Sequence, residues 1–260
     1  MGYGTTRISA SAHGILREMS KAEGKPMLAL MEKGVPFESH YTDLLRFDHH
    51  SPEYLALNPS GQIPTMIHDG LVLTESTAIM EYVDDAFDGP PLRPADAWER
   101  WNMRRWCKLL DEYHGPSLSM IGWSIFVGPM VRDRDPDELR AALDRIPTPE
   151  RRKAWEMAIY NLFTEEQLAE SRRRVTWAAG LIEEALSRTP WLAGGTYSLA
   201  DIDGFNMCYA LPLSLPEVAS DEATPHLLEW LRKMYERPAV KKTFALGRTQ
   251  MAERVAYLAR

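Results

Sequence analysis

Cysteine is scarce in this 260-residue chain: only Cys107 and Cys208 occur, far apart and without metal-ligand spacing. A disulfide-built scaffold and a zinc site are therefore not expected, and both thiols read as reduced core residues. No Cys-x-x-Cys pair lies near the first helix, which removes a thioredoxin-type redox centre. Basic residues are outnumbered, 30 Lys and Arg against 37 Asp and Glu, for a formal charge of -7. That leaves no basic surface for a phosphate backbone, so nucleic acid is not an expected partner. No apolar run approaches the ~20 residues that cross a bilayer. The opening residues Met1 to Arg7 have no apolar core of a signal peptide. The expectation is a soluble, cytoplasmic protein, and internal repeats and low-complexity tracts are missing as well.

Aromatic and sulfur-bearing side chains are well supplied, with 8 Trp and 13 Met. Most belong in a core, and some can line an adaptable apolar pocket. The most informative stretch runs from Asn58 to Phe87. Two short apolar runs, Thr65 to Ile67 and Leu71 to Leu73, flank His-Asp-Gly, and Asp69-Gly70 predicts a tight hairpin because both positions tolerate positive φ. Pro64 precedes the first run, where it breaks no ladder. A cis Ile63–Pro64 bond would turn the Ile63 backbone N–H and C=O outward, ready to pair with an extended peptide. A helix opening at Thr74 puts Glu75 and Ser76 in its first turn, beside free N–H groups and the positive dipole end. Such a corner suits a carboxylate next to an ammonium.

Upstream, residues 1–12 are expected to be a loose arm, Gly14 to Met19 a first strand, and Lys25 to Lys33 a helix stopped by Gly34. Val35 to Leu44 alternates as a half-buried strand, and Ser51 to Leu57 reads as a short helix. The order of elements predicts a thioredoxin-like α/β domain over residues 13–88. Prolines break the chain at 89–97, a linker. Everything from 98 to 250 reads as all-helical, with 251–260 a tail. Trp101, Arg105 and Leu109 mark one stripe of the first helix there, and Gly122 to Ile146 is long enough to cap a cleft. At Tyr197 to Ile202, Ser198 and Asp201 form an aspartate version of the capping box, with Tyr197 packing on Ile202. Arg172 to Arg174 read as a solvated helix face, and His114 as structural.

Asn-Pro-x-Gly-Gln-Ile-Pro, the hairpin, and Glu-Ser opening a helix resemble the glutathione-binding half of the cytosolic glutathione transferases. Ser-Leu-Ala-Asp-Ile at 198–202 resembles the helix start in the carboxy-terminal domain of the same family. The resemblance implies a thioredoxin-like domain followed by an all-helical one, with glutathione as the cofactor. It implies that Ile63 and Pro64 pair with the cysteinyl backbone, that Glu75 and Ser76 hold the γ-glutamyl end, and that Gln62 is a nearby contact. One of His49 and His50, by spacing His50, resembles the histidine that meets the glycine carboxylate.

Within the family, residues 92–96, Asp111-Glu112-Tyr113, Ile121-Gly122-Trp123, residues 146–150 and Tyr197 to Ile202 together resemble bacterial β-aryl etherases of the LigF-like kind. The implied substrate is a small lignin-derived aromatic ether, with Tyr113, Trp123 and Phe126 as pocket residues and a dimer of like or related chains as the assembly. One departure stands out. Where such etherases carry Asn-Ser at the head of the first helix, this chain has Ala22 and Glu23. Alanine donates nothing, and a carboxylate beside a thiolate raises its pKa. Ser20 is the nearest hydroxyl. Three readings therefore stay open: an etherase or one subunit of it, a transferase with an isomerase or dehalogenase reaction, and a non-catalytic supporting subunit.

Overall fold

The computed structural model describes residues 6–10 and 21–246. Four short strands form one sheet in the order β2-β1-β3-β4: β1 Thr6–Ala10, β2 Glu38–Tyr41, β3 Thr65–His68 and β4 Leu71–Leu73. β1 runs parallel to β2 and antiparallel to β3, with Ile8 opposite both Ser39 and Met66. The loose arm expected over residues 1–12 is thereby corrected. Thr6 to Ala10 is the central strand, because ladders on both sides satisfy its backbone groups. The strand expected at Gly14 to Met19, Ser20 and the tail at 251–260 lie outside the described residues.

Helix α1 (Lys21–Lys33) connects β1 to β2. Its stop is the expected one, since Gly34 takes φ 71 and Val35 N–H donates to the Leu30 carbonyl. Helix α2 (Pro52–Leu57) begins with Ser51 accepting the Tyr54 N–H at 3.2 Å. The hairpin turns at Asp69 (φ 50) and Gly70 (φ 81), as the Asp-Gly signal requires. Helix α3 (Ser76–Ala86) packs on α1 and lays Ile79, Met80 and Val83 into the core.

The connector after α3 is strapped down. Asp84 accepts the Leu92 N–H at 2.8 Å and pairs with both Arg93 and Lys33, while the Leu92 carbonyl accepts the Leu199 N–H. Asp96 caps α4 (Ala97–Leu109) by accepting the N–H groups of Trp98 and Glu99. The buried face of α4 carries Met103, Trp106 and Cys107. The stripe anticipated at Trp101 is outward instead, with exposed Trp101 packing against exposed Trp98 and lying near the Arg105 guanidinium.

The chain beyond α4 does not break at its glycines. A π-helical turn over Leu110–His114 leads into α5 (Gly115–Gly122), a second over Trp123–Val127 leads into α6 (Gly128–Arg132), and α7 (Pro136–Asp144) and α8 (Pro149–Ile159) follow. These elements build a second apolar cluster in which Val131, Leu139, Leu143, Trp155 and Ile159 enclose Phe47 of the first domain. Helices α9 (Glu165–Leu186), α10 (Leu199–Cys208), α11 (Leu211–Ser214), α12 (Pro225–Tyr235) and α13 (Pro238–Ala245) complete the helical half.

At the start of α10 the Asp201 carboxylate accepts the Ser198 N–H at 2.9 Å, as the capping-box pattern requires. The same carboxylate accepts the Leu192 N–H and the Trp230 indole N–H. Burial, only partly opposed by those donors, pushes Asp201 up to about 6. Tyr197 packs edge-on against Trp191 and donates to Glu32, whose carboxylate also takes Arg237 in two hydrogen bonds, so this tyrosine ties α1 to the helical half. Both cysteines are buried and lie outside any disulfide among the described residues, with Cys208 beside the buried His114.

Candidate functional site

The loop before β3 is built on Asn58. Its amide donates to the Gln62 carbonyl at 2.8 Å and to Thr65 Oγ1 at 3.0 Å, and its Oδ1 accepts from Ser60 N–H and hydroxyl. Tyr54 OH donates to the same Gln62 carbonyl at 2.7 Å and lies 2.9 Å from Thr65 Oγ1. The network is satisfied at each of these groups, which fixes the segment Gly61-Gln62-Ile63-Pro64. The Ile63–Pro64 bond is cis, an isomer that the sequence allowed but did not establish. Gly61 holds φ 60, and a Cβ there would stand 2.7 Å from the His50 ring. Glycine is required on both counts.

Beyond the hairpin, Glu75 caps α3 at φ 66 and ψ 107 without using its side chain. A non-glycine residue at positive φ, held by a rigid hairpin on one side and a packed helix on the other, is a mark of a functional corner. The Glu75 carboxylate is exposed and has no ion pair among the described residues, and the Ser76 hydroxyl and the Gln62 amide make no hydrogen bond there. The chain therefore presents an unused carboxylate, an unused hydroxyl and a helix N-terminus together.

His49 and His50 lie at the end of a short helical turn, Asp48–His50, and both are buried. Their rings are 3.8 Å apart between centroids and contact Phe47. Burial, with Arg151 and Arg145 nearby, pulls His50 down to about 4, and burial likewise holds His49 well below the ordinary range. His50 is thus a neutral ring against Gly61, and His49 a neutral ring beside Trp155.

Under the corner lies a buried ionic knot that sequence spacing gave no reason to assemble. Lys25, on the inner face of α1, pairs with Asp111 of the first π-helical turn and with Asp203 of α10, the latter at 2.6 Å. The Thr77 hydroxyl, one residue past Ser76, donates to the other Asp111 oxygen. Burial works against the Lys25 charge, but Asp203 and Asp111 outweigh it and hold its pKa above the ordinary value. Burial, opposed by Lys25 and reinforced by Asp111, pushes Asp203 up to about 7. Two carboxylates share one ammonium, and a proton on Asp203 relieves the excess charge.

Of the expected pocket residues, the structure places Trp123 in a cleft of about 410 Å³ with Pro116, Ser119, Met120, Arg151, Ala154 and Phe163. Tyr113 instead packs edge-on against Trp177 beneath Arg174, because the π-helical turn rotates it toward α9. Phe126 is half-buried away from that lining. Ala22 and Glu23 belong to the first turn of α1. Arg172 to Arg174 make exposed pairs with Glu217 and Glu170, the solvated face expected. Arg151 was missed in the sequence, since an arginine in a run of Glu150-Arg151-Arg152-Lys153 has nothing to distinguish it.

Comparisons with known proteins agree with this layout. The glutathione S-transferase N-terminal domain matches residues 24–86, and the glutathione S-transferase C-terminal domain matches residues 116–238. Protein LigF of Sphingobium is 38% identical over 226 residues, covering 85% of this chain and 88% of LigF. Glutathione S-transferase F9 of Arabidopsis thaliana is 26% identical over 85% of this chain and 91% of its own. The crystal structure of the β-etherase LigF from Sphingobium superposes with a TM-score of 0.85 at 34% identity, covering 94% of this chain and 100% of that one. That of glutathione transferase F7 from Populus trichocarpa gives 0.71 at 25% identity, over 95% and 100%.

Proposed function

Because the chain belongs to the glutathione S-transferase family and has glutathione as its co-substrate, we propose that it is a β-etherase acting on lignin-derived aryl ethers. The observation that carries this reading is the match to LigF along most of both chains, together with a largely apolar cleft in the helical half. In the proposed complex the γ-glutamyl carboxylate meets Ser76 and the α3 N-terminus, and the ammonium meets Glu75. The cysteinyl backbone pairs with Ile63 across the cis-proline, with the Gln62 amide close by.

The reaction is a displacement. Glutathione gives up its thiol proton, and the thiolate attacks the carbon next to a ketone. A C–S bond forms, the C–O bond breaks, and the aryloxide leaves with the electron pair and then takes a proton. A free thiol has a pKa of about 8.5, so the site must favour the thiolate. Incubation of the protein with an α-keto β-aryl ether, with the products resolved by mass, tests this. Thioether and phenol in equal amounts are expected only with glutathione present. Phenol released without glutathione would overturn it.

Ala22 and Glu23 favour a second reading, a supporting subunit of a mixed dimer. Exposed Leu71 and Val72 on β4 and Trp98 and Trp101 on α4 support pairing with another chain. Purification alone and with a co-expressed related etherase separates the two. Activity of the chain alone rejects the supporting role, whereas activity confined to the mixed species establishes it.

A further inference from the structure

Arg151 is out of place for a structural residue. It sits in the first turn of α8, where the helix dipole disfavours a cation. Its neighbour Arg152 is paired with Asp144 and Glu156, whereas Arg151 has no ion pair among the described residues. It is half-buried, and burial lowers its pKa while Glu75 opposes that effect. A desolvated, unpaired guanidinium costs stability unless an anion comes to it.

The surroundings say which anion. The cleft that Arg151 lines is otherwise walled mainly by Pro116, Met120, Trp123, Ala154 and Phe163, an apolar slot of about 410 Å³. The guanidinium charge acts on Glu75 and on His49 and His50, and the His50 ring lies against Gly61 of the loop before β3, so the cleft and that loop share one electrostatic neighbourhood. Both histidines are held neutral, Arg145 adds a second positive charge acting on His50, and Glu150, which also lines the cleft, is exposed to solvent. A flat apolar ring carrying one anionic oxygen fits this arrangement. With the cleft taken as the aryl site of that reaction, we propose that the Arg151 guanidinium receives the negative charge that develops on the leaving aryl oxygen. This deepens the etherase reading and rests on it for the reaction, while the anion site itself can be tested without turnover.

The test titrates the full-length protein with 4-nitrophenolate and with neutral 4-nitroanisole, following Trp fluorescence and the visible band of the phenolate. The wild type is expected to bind the phenolate and lower its apparent pKa. Arg151→Met should weaken phenolate binding about tenfold or more, the scale of one lost charge-assisted hydrogen bond, with anisole binding unchanged and Arg151→Lys in between. Equal losses for both probes, no phenolate binding by the wild type, or a loss of glutathione affinity in place of phenolate affinity would each overturn the proposal. In turnover, Arg151→Met should slow poor leaving groups more than good ones. Phenolate binding that persists without ether cleavage would leave the anion site standing and sink the etherase reading.

Discussion

Glu75 and Ser76 offer one carboxylate and one hydroxyl that nothing else in the described structure uses. Replacing Ser76 by Ala removes a donor to a ligand carboxylate, and calorimetry should show glutathione affinity falling by about tenfold, near 1.5 kcal/mol. Glu75→Gln keeps the shape at φ 66 and removes the charge. Its loss should be as large and should shrink in high salt, while the melting temperature stays near the wild-type value. Gly61 has a different duty. Ala there meets both a positive φ and the His50 ring at 2.7 Å. Denaturant unfolding should show a loss of about 2–3 kcal/mol, and glutathione affinity should fall with it because Ile63 moves. These residues were legible in the sequence because turn chemistry is local: Pro59 and Pro64 fix their own φ, and Gly61 and Asp69-Gly70 admit the positive φ that the turns need, without help from distant contacts. Arg151 was not legible, since its meaning depends on the absence of partners.

At the scale of elements, the region from Leu44 to Ser51 and helices α7 and α8 hold each other through Phe47 and Trp155, whose rings are 4.6 Å apart. The two neutral histidines beside them make this joint acid-labile. His50 has a folded-state pKa near 4 against an ordinary 6.5. Between those values the unfolded chain binds a proton that the folded chain does not, so stability falls as pH drops from about 6.5 to 4. Asp201 and Asp203 have raised values and act in the opposite sense, losing stability as pH rises toward about 6 and 7. The contribution of His50 is therefore read as a difference. His50→Gln, measured beside the wild type by urea unfolding, should gain relative stability as pH falls through that window and show a constant difference above it. The helices themselves were readable from periodicity, from the stop at Gly34 and from the capping box at Ser198, while the caps at Ser51 and Asp96 emerged only in the structure. The π-helical turns were not. A single inserted residue leaves no mark in composition, yet it redirects Tyr113 toward α9 and spoils any pocket assignment made from 3.6-residue spacing.

The two halves of the molecule are joined by charges as well as by apolar surface. Glu32 with Arg237 and Tyr197 forms one tie, and Lys25 with Asp111, Asp203 and Thr77 forms the other. Contact between domains is the part of the architecture that a sequence hides most completely, because Lys25 and Asp203 become partners only after the 177 residues between them have folded. The Lys25 knot lies directly beneath Ser76 through Thr77, so it sets the angle between α1 and the first turn of α3. Lys25→Met leaves Asp203 and Asp111 without their ammonium, so Asp203 is driven to hold its proton, and unfolding should show a loss that grows as pH rises above about 7 toward about 3–5 kcal/mol. Pairing it with Asp203→Leu should return most of that loss, since an apolar replacement of both partners removes the stranded charge. If the double variant is as stable as the wild type but binds glutathione more weakly, the knot serves to position the corner. Should the double variant remain as unstable as Lys25→Met alone, the charge pairing is not what holds the halves together, and the packing of α1 against α10 carries that role instead.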